Sequence, residues 1–393
     1  MRENPLRASD LRIHNQNMVL SRIHASGEAG LSQSEIVLET GLKAPTIFRV
    51  FASLEEQGLI LPKMHGDNTI DRIMGKKGRK PLLYTVNKDA IYTIGLEFWT
   101  AFMSFGFYNF FGERIFSKRI ELSGKLSIEP LIDLIVEQIN KSIEQLKIQR
   151  KAIIGLGVAS PGQVDLIKKH VVSYPNILGI NKYPLVSVLE ERLEIPVLLQ
   201  NNCSALGFGE FFSGDFDHDG SLFTFLLRSG VNGSFINNGI IYSNSQGLTI
   251  ETGHLPISLD GPRCSCGMRG CLQAYLQDLD AYSDDKHCLL FENLGDAINE
   301  NNAAAIRIME RASSYIYTAM KSIVRILAPK SFLIVACSDI VAKTIANEIR
   351  RLIEEPDVFV GQPPRIFSAS YDPYLATKGA SDLVLNTYFN TIE

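Results

Sequence analysis

The chain has 393 residues and a formal net charge of −4, with 45% hydrophobic and 21% charged residues. This is an ordinary globular composition at a length that predicts two or three domains. No apolar run approaches the roughly 18 residues of a membrane span, and MRENPLRASDLR lacks a signal peptide's apolar stretch, so a cytoplasmic protein without a membrane partner is expected.

The charge is unevenly spread. Residues 1–90 carry a surplus of +3 and the remainder −7, a mild asymmetry of the sign that favours a DNA-binding N-terminus. Within 61–80, Lys63, Arg72, Lys76, Lys77, Arg79 and Lys80 face only Asp67 and Asp71.

Ile13, Met18, Val19, Ile23 and His24 recur at roughly helical spacing and predict a first helix over 11–26, broken by Gly27 and Gly30. Ser32 and Glu35 form a capping box that opens a second helix, and Gly41 suits its left-handed end. A third helix follows at once. Pro45 fits its first position, Ile47, Val50, Phe51 and Leu54 make its apolar stripe, and Gly58 ends it. Two short helices joined by a Gly-containing turn are the sequence form of a helix-turn-helix. Its third helix would enter the major groove with Lys43, Thr46 and Arg49 near base edges or phosphates. LILPKMHG and PLLYTVN read as two strands, and GKKGRKP between them as a basic wing able to enter a narrow minor groove through Lys76, Lys77, Arg79 and Lys80. Residues 1–88 are therefore expected to form a winged helix-turn-helix, mostly α, that binds double-stranded operator DNA.

From Ile91 the pattern changes. YTIGLEF, SFGFYNF and GERIFSKRIEL read as consecutive strands, then a helix over 131–149, the strand AIIGLGVA and the loop SPGQVD. A helix over 185–194, strand PVLLQ, helix SALGFGEFF and strand SLFTFLL follow. A long helix over 302–328, strand SFLIVAC and a helical C-terminal tail close the chain. The mixture of antiparallel strands and strand–helix alternation predicts α/β layers across 89–393.

The sharpest local pattern is ETGHLPISLDGPRCSCGMRGCLQ. Of six cysteines (Cys203, Cys264, Cys266, Cys271, Cys288, Cys337), three crowd into eight residues, with His254 ten residues upstream of Cys264. A disulfide framework is disfavoured in a large cytosolic chain. One imidazole and three thiolates instead suit one closed, structural zinc per chain, held by His254, Cys264, Cys266 and Cys271. Gly267 and Gly270 let the backbone fold tightly around such an ion.

With the winged helix, GRKPLLYTVN, GVASPGQVD, YPNILGI, PVLLQNN, ETGH and CSCGMRGCLQ, the chain resembles the ROK family of repressors, open reading frames and kinases, in its xylose- and N-acetylglucosamine-type repressor branch. The resemblance spans almost the whole chain. It implies an actin/hexokinase-like domain of two lobes with a sugar in the cleft, and a homodimer or tetramer.

Family kinases carry a catalytic Asp in a stretch resembling Glu-Asn-Asp-Ala-Asn; here the stretch is Gln200, Asn201, Asn202, Cys203, Ser204, and an amide at Asn202 cannot act as a base. The first phosphate loop, resembling Asp-Ile-Gly-Gly-Thr, is here Glu97, Phe98, Trp99, Thr100. The second, resembling Gly-Thr-Gly-Ile-Gly-Gly-Gly, runs from Arg228 to Ser234 and keeps only Gly230 and Gly233. The usually glycine-rich strand end near the adenosine reads Ala336, Cys337, Ser338. No catalytic residue and no kinase activity are expected. By family position Asn201, Asn202, Glu251 and His254 would contact sugar hydroxyls, with Gln273 in place of a glutamate and Gly162 and Asn176 on the other wall. The reading is a repressor of sugar-metabolism genes that senses a sugar or sugar phosphate without phosphorylating it. The alternatives are a DNA-bound regulator controlled by a partner protein through a vestigial site, and an active sugar kinase.

Overall fold

The structure is a computed structural model that describes residues 8–63, 81–123, 126–174, 176–213, 220–280, 289–354 and 362–391. Lys76, Lys77, Arg79, Lys80 and Cys288 lie outside the described residues, as does the expected basic wing.

The N-terminal unit comprises α1 (Ala8–Ala25), β1 (Leu31–Ser32), α2 (Gln33–Thr40), α3 (Ala44–Glu56), β2 (Ile60–Pro62) and β3 (Leu83–Val86). The capping box forms as expected: Ser32 Oγ accepts from Glu35 N, and the Glu35 carboxylate accepts from Ser32 N at 2.8 Å. Gly41 closes α2 at φ 69°. Helix α3 begins one residue before Pro45, with Lys43 as its cap, and buries Ile47, Val50, Phe51 and Leu54. The three short strands pair antiparallel in the order β1–β3–β2.

The first lobe comprises β4 (Tyr92–Phe98), β5 (Phe102–Asn109), β6 (Arg114–Glu121), α4 (Ile128–Leu146), β7 (Ile153–Ser160), β8 (Gln163–Asp165), β9 (His170–Ser173), β10 (Asn181–Tyr183), α5 (Leu185–Leu193), β11 (Val197–Asn201) and α6 (Asn202–Ser213). Its sheet runs β11–β7–β4–β5–β6, and α4 and α5 cover one face with an isoleucine- and leucine-rich core. The second lobe comprises β12 (Ser221–Leu227), β13 (Val231–Asn237), β14 (Ile240–Ile241), a 3-10 turn (Thr252–His254), α7 (Leu272–Leu279), α8 (Gly295–Asn299), α9 (Ala303–Leu327), β15 (Ser331–Ala336), α10 (Asp339–Ile353) and β16 (Arg365–Ser370), after which α11 (Leu375–Asn390) returns to the first lobe against β4 and β7. Its sheet runs β14–β13–β12–β15–β16. Two five-stranded mixed sheets with helices against them form the actin/hexokinase-like arrangement. Helices α6 and α11 pack on one another between the lobes.

Two expectations need correction. The C-terminal tail is not all helical, because β16 separates α10 from α11 and pairs in parallel with β15. It is an edge strand with a mixed polar and apolar sequence, RIFSAS, so it lacks the apolar run of a central strand. The loop SPGQVD also ends in a strand, β8, which pairs with β9.

Helix α11 sits on the first lobe at glycines. A side-chain carbon on Gly95 would lie 1.8 Å from Thr377 O, and one on Gly157 would lie 2.0 Å from Ala380 O. The N-terminal core reaches across to the same helix. Val19, Leu20, Ile23, Phe51 and Tyr84 share one buried cluster with Phe110 and Leu385, with Tyr388 and Phe389 against it.

Candidate functional site

Three regions carry the chemistry: a Cys/His cluster on the second lobe, the cleft beside it, and the exposed side of α3.

The cluster is built by a short hairpin that leads into α7. Ile257 N donates to Gly270 O and Cys264 N to Met268 O, each at 2.8 Å, folding the two halves of the segment together. Gly270 sits at φ 73°, and a side-chain carbon there would lie 1.7 Å from Ser258 O, so no other residue fits. The ligand atoms of His254, Cys264, Cys266 and Cys271 all lie within 4.8 Å of one another. Two sulfurs on one tetrahedral zinc, each at about 2.3 Å, lie about 3.8 Å apart. Cys266 Sγ and Cys271 Sγ are 3.7 Å apart, and His254 Nδ1 is 3.4 Å from Cys264 Sγ. Burial and the neighbouring sulfurs push the Cys271 thiol up to about 12. Adjacent thiolates there need a cation, which the donor set suits.

His254 turns Nδ1 toward the thiols, and the turn that carries it packs against the second of the two altered loops. A side-chain carbon on Gly253 would meet Val231 O at 2.2 Å, and one on Gly233 would meet Thr252 Oγ1 at 2.2 Å. Of the two glycines left in that loop, Gly233 therefore serves close packing of the Glu251–His254 segment, and Gly230 makes room for Gln273, whose Oε1 a side-chain carbon there would meet at 2.7 Å. Gln273, from the first turn of α7, accepts from Val231 N at 3.2 Å and braces the loop. Opposite, Asn201 Nδ2 donates to Gly162 O at 2.8 Å. Gly162 stands at φ 72° over Ser173 O, where a side-chain carbon would approach to 2.2 Å. Leu166 N donates to Gly247 O, so the β8 segment and the approach to Glu251 are joined across the cleft. Glu251 is solvent-reachable but enclosed enough for burial to hold its carboxyl above the ordinary range. Asn176 is exposed.

The position between the two altered loops is filled by the chain itself. Glu97, at the end of β4, is fully buried and receives Arg228 Nη1 at 2.5 Å. Tyr371, just beyond β16, donates its hydroxyl to Glu97 Oε2 at 3.0 Å and accepts from Arg228 Nη1 at 3.1 Å. The Arg228 guanidinium lies 4.5 Å from the centre of the buried Trp99 ring. Burial pushes the Glu97 carboxyl up, while Arg228, Tyr371 and Asn202 pull it back toward the charged form. Asn202, the first residue of α6, has no exposed surface; its Oδ1 accepts from Cys203 N at 2.8 Å, and its Nδ2 lacks a well-formed hydrogen bond. It faces this cluster rather than open cleft. At the third altered position, Ser338 caps α10 by accepting from Val341 N.

In the sequence Glu97 and Arg228 stand only as separate departures from the family pattern, and Tyr371 does not stand out at all. An acid in one loop and a base in the facing loop were the available signal for the pair. Nothing local marks Tyr371, whose role depends on β16.

On α3, Lys43, Phe48 and Arg49 are exposed and Thr46 is half-buried. A groove of about 520 Å³ separates α3 from α1, lined by Arg12, Asn15, Gln16, Thr46, Arg49 and Ser53, with Leu11 and Val50.

These features define a two-lobed, kinase-like domain with a Cys/His hairpin at its cleft, joined to a small helical N-terminal unit. The chain belongs to the ROK family, whose family model matches residues 118–387. It is similar to the xylose repressor of Bacillus spizizenii, 22% identical over 386 residues that cover 96% of this chain and 97% of that protein. It is also similar to the xylose repressor of Caldicellulosiruptor bescii, 27% identical over 248 residues, 63% of this chain and 60% of that one. Its fold matches the crystal structure of a ROK family transcriptional regulator, a homolog of the E. coli MLC protein, at TM-score 0.79 and 16% identity over 98% of both chains. A ROK family glucokinase from Streptomyces griseus, in complex with glucose and AMPPNP, matches 75% of this chain and 99% of its own at TM-score 0.62 and 18% identity.

Proposed function

We propose that the protein is a sugar-responsive transcriptional repressor whose kinase-like cleft binds a sugar or sugar phosphate without phosphorylating it. The observation that carries this reading is the Arg228–Glu97 pair in the place between the loops where a nucleotide's phosphates would lie, in a chain whose α3 also exposes Lys43 and Arg49. Arg228 cannot be displaced by phosphate without breaking a buried pair and forcing Glu97 to take up a proton. Full-length similarity to proteins named xylose repressors supports the same reading.

In this proposal residues 1–88 form the winged helix-turn-helix. Lys43, Thr46 and Arg49 contact operator DNA from α3, and Lys76, Lys77, Arg79 and Lys80 contact it from the wing. The sugar lies among Gly162, Asn176, Asn201, Glu251, His254 and Gln273. Asn202 supports the wall from behind. One zinc per chain, on His254, Cys264, Cys266 and Cys271, fixes the hairpin so that the other ring nitrogen of His254 is held toward the cleft. Zinc here supplies rigidity and a fixed imidazole orientation. The protein acts as a homodimer or tetramer on an inverted-repeat operator.

The test is a thermal-shift screen of sugars and sugar phosphates, followed by operator binding with each hit. A true effector at a hundred times its dissociation constant raises stability by about 2.7 kcal/mol and changes operator affinity. A chain that meets no sugar in the screen, or whose hits leave operator binding unchanged, is not a sugar-responsive repressor.

A further inference from the structure

We infer that Tyr371 is a positioning residue that couples the cleft to the DNA-binding unit through helix α11; this rests on the function proposed above. The Tyr371 hydroxyl joins both members of the pair that bridges the lobes, Glu97 from the first and Arg228 from the second. Four residues later α11 begins, and the connection is tight. Tyr374 N donates to Asp372 Oδ1 at 2.7 Å, and Ser104 Oγ pins Pro373 O to β5 at 2.8 Å.

The helix then behaves as one body. Its backbone meets β4 at Gly95 and β7 at Gly157. It meets α6 at Gly379, where a side-chain carbon would lie 1.8 Å from Ala205 O. Flexible side chains do not cushion these contacts, and close-packed interfaces shift as units rather than deforming continuously. About 24 Å further on, the length of its 16 residues, the same helix holds the N-terminal unit. Leu385 enters that unit's core, and Asn17 Nδ2 of α1 donates to Thr391 O at 2.9 Å. A ligand that moves Glu97 or Arg228 relative to each other therefore moves the seat of α1, and with it the setting of α3 on DNA.

The test uses the full-length protein and three variants. Tyr371→Phe removes one hydroxyl. Tyr374→Phe is the control on the same turn, because its ring stacks on Arg114 and stands outside the pair. Asn17→Ala cuts the far end. Hydrogen exchange without ligand should show Tyr371→Phe loosening residues 8–25 and 383–391 at least fivefold, with Tyr374→Phe unchanged. Operator binding with and without D-xylose, D-glucose and N-acetylglucosamine 6-phosphate should show Tyr371→Phe and Asn17→Ala retaining the sugar's thermal shift while losing most of its effect on DNA. Loosening confined to 97–102 and 226–231, with 8–25 as in wild type, overturns the proposal. If none of these sugars affects the wild type, the sensing function fails while the exchange experiment still decides the coupling.

Discussion

His24 of α1 and Phe389 of α11 pack ring to ring, with centroids 5.2 Å apart, and Phe110 closes the other side of the imidazole at 5.7 Å. Burial lowers the His24 pKa, Lys378 lowers it further, and a hydrogen bond with the Phe110 backbone opposes both. The folded chain thus holds this ring neutral. Below about pH 6.5 the unfolded chain takes up a proton that the folded one refuses, so stability is complete above that pH and falls as pH drops toward the lowered value. The protection factors of 8–25, with the intrinsic pH dependence of amide exchange divided out, should therefore fall between pH 7 and pH 5.5 in wild type and change less in His24→Phe. Equal pH dependence in the two proteins would show that His24 does not govern the docking.

Purified protein, prepared without chelator, should hold one zinc per chain by metal analysis. Cys271→Ser should lose it and unfold at lower temperature, because a buried sulfur cluster without its ion keeps only repulsive or unsatisfied groups. Stoichiometry near zero in wild type removes the zinc assignment.

No sugar-dependent ATP hydrolysis is expected. Asn202→Asp should not create it; the new carboxylate would lie beside Glu97 and lower stability, since two buried acids cannot both ionise cheaply. Glu97→Gln should cost about 3–5 kcal/mol, because it leaves the Arg228 charge buried and unpaired. Arg228→Met should cost less, because Glu97 can then take up a proton. Denaturant unfolding gives the order, and turnover above background with any common hexose or pentose would contradict the reading.

Arg49→Ala should cost about 1–3 kcal/mol in operator binding and relax sequence preference at one position per half-site if Arg49 reaches a base edge. Replacing Arg79 and Lys80 should weaken binding to all sequences and reduce the salt slope by about one for each phosphate no longer neutralised. Selection from a randomised DNA library across several salt concentrations separates the two. Variants that bind as tightly as wild type would remove the DNA-reading assignment.

The local features were legible in the sequence because they depend on neighbours in the chain. The capping box at Ser32 and Glu35, the buried stripe of α3, and the Cys/His hairpin all follow from spacing. The strand β16 was not legible, since its half-polar face is stabilised by its parallel partner β15 rather than by its own pattern. The Arg228–Glu97 pair spans 131 residues. Only the closure of two sheets on one another reveals it. Asn202 was expected on the ligand side, and its burial depends on the same closure.

The seating of α1 on α11 also orders events during synthesis. The N-terminal unit leaves the ribosome first, at roughly 5–20 residues per second, yet Leu385 and Thr391, which complete its docking, emerge some 300 residues after Val86. For tens of seconds the nascent unit exposes the apolar side that Leu385 and Phe389 will cover. A chain stopped short of α11 would therefore carry an N-terminal unit without the contacts that hold its orientation.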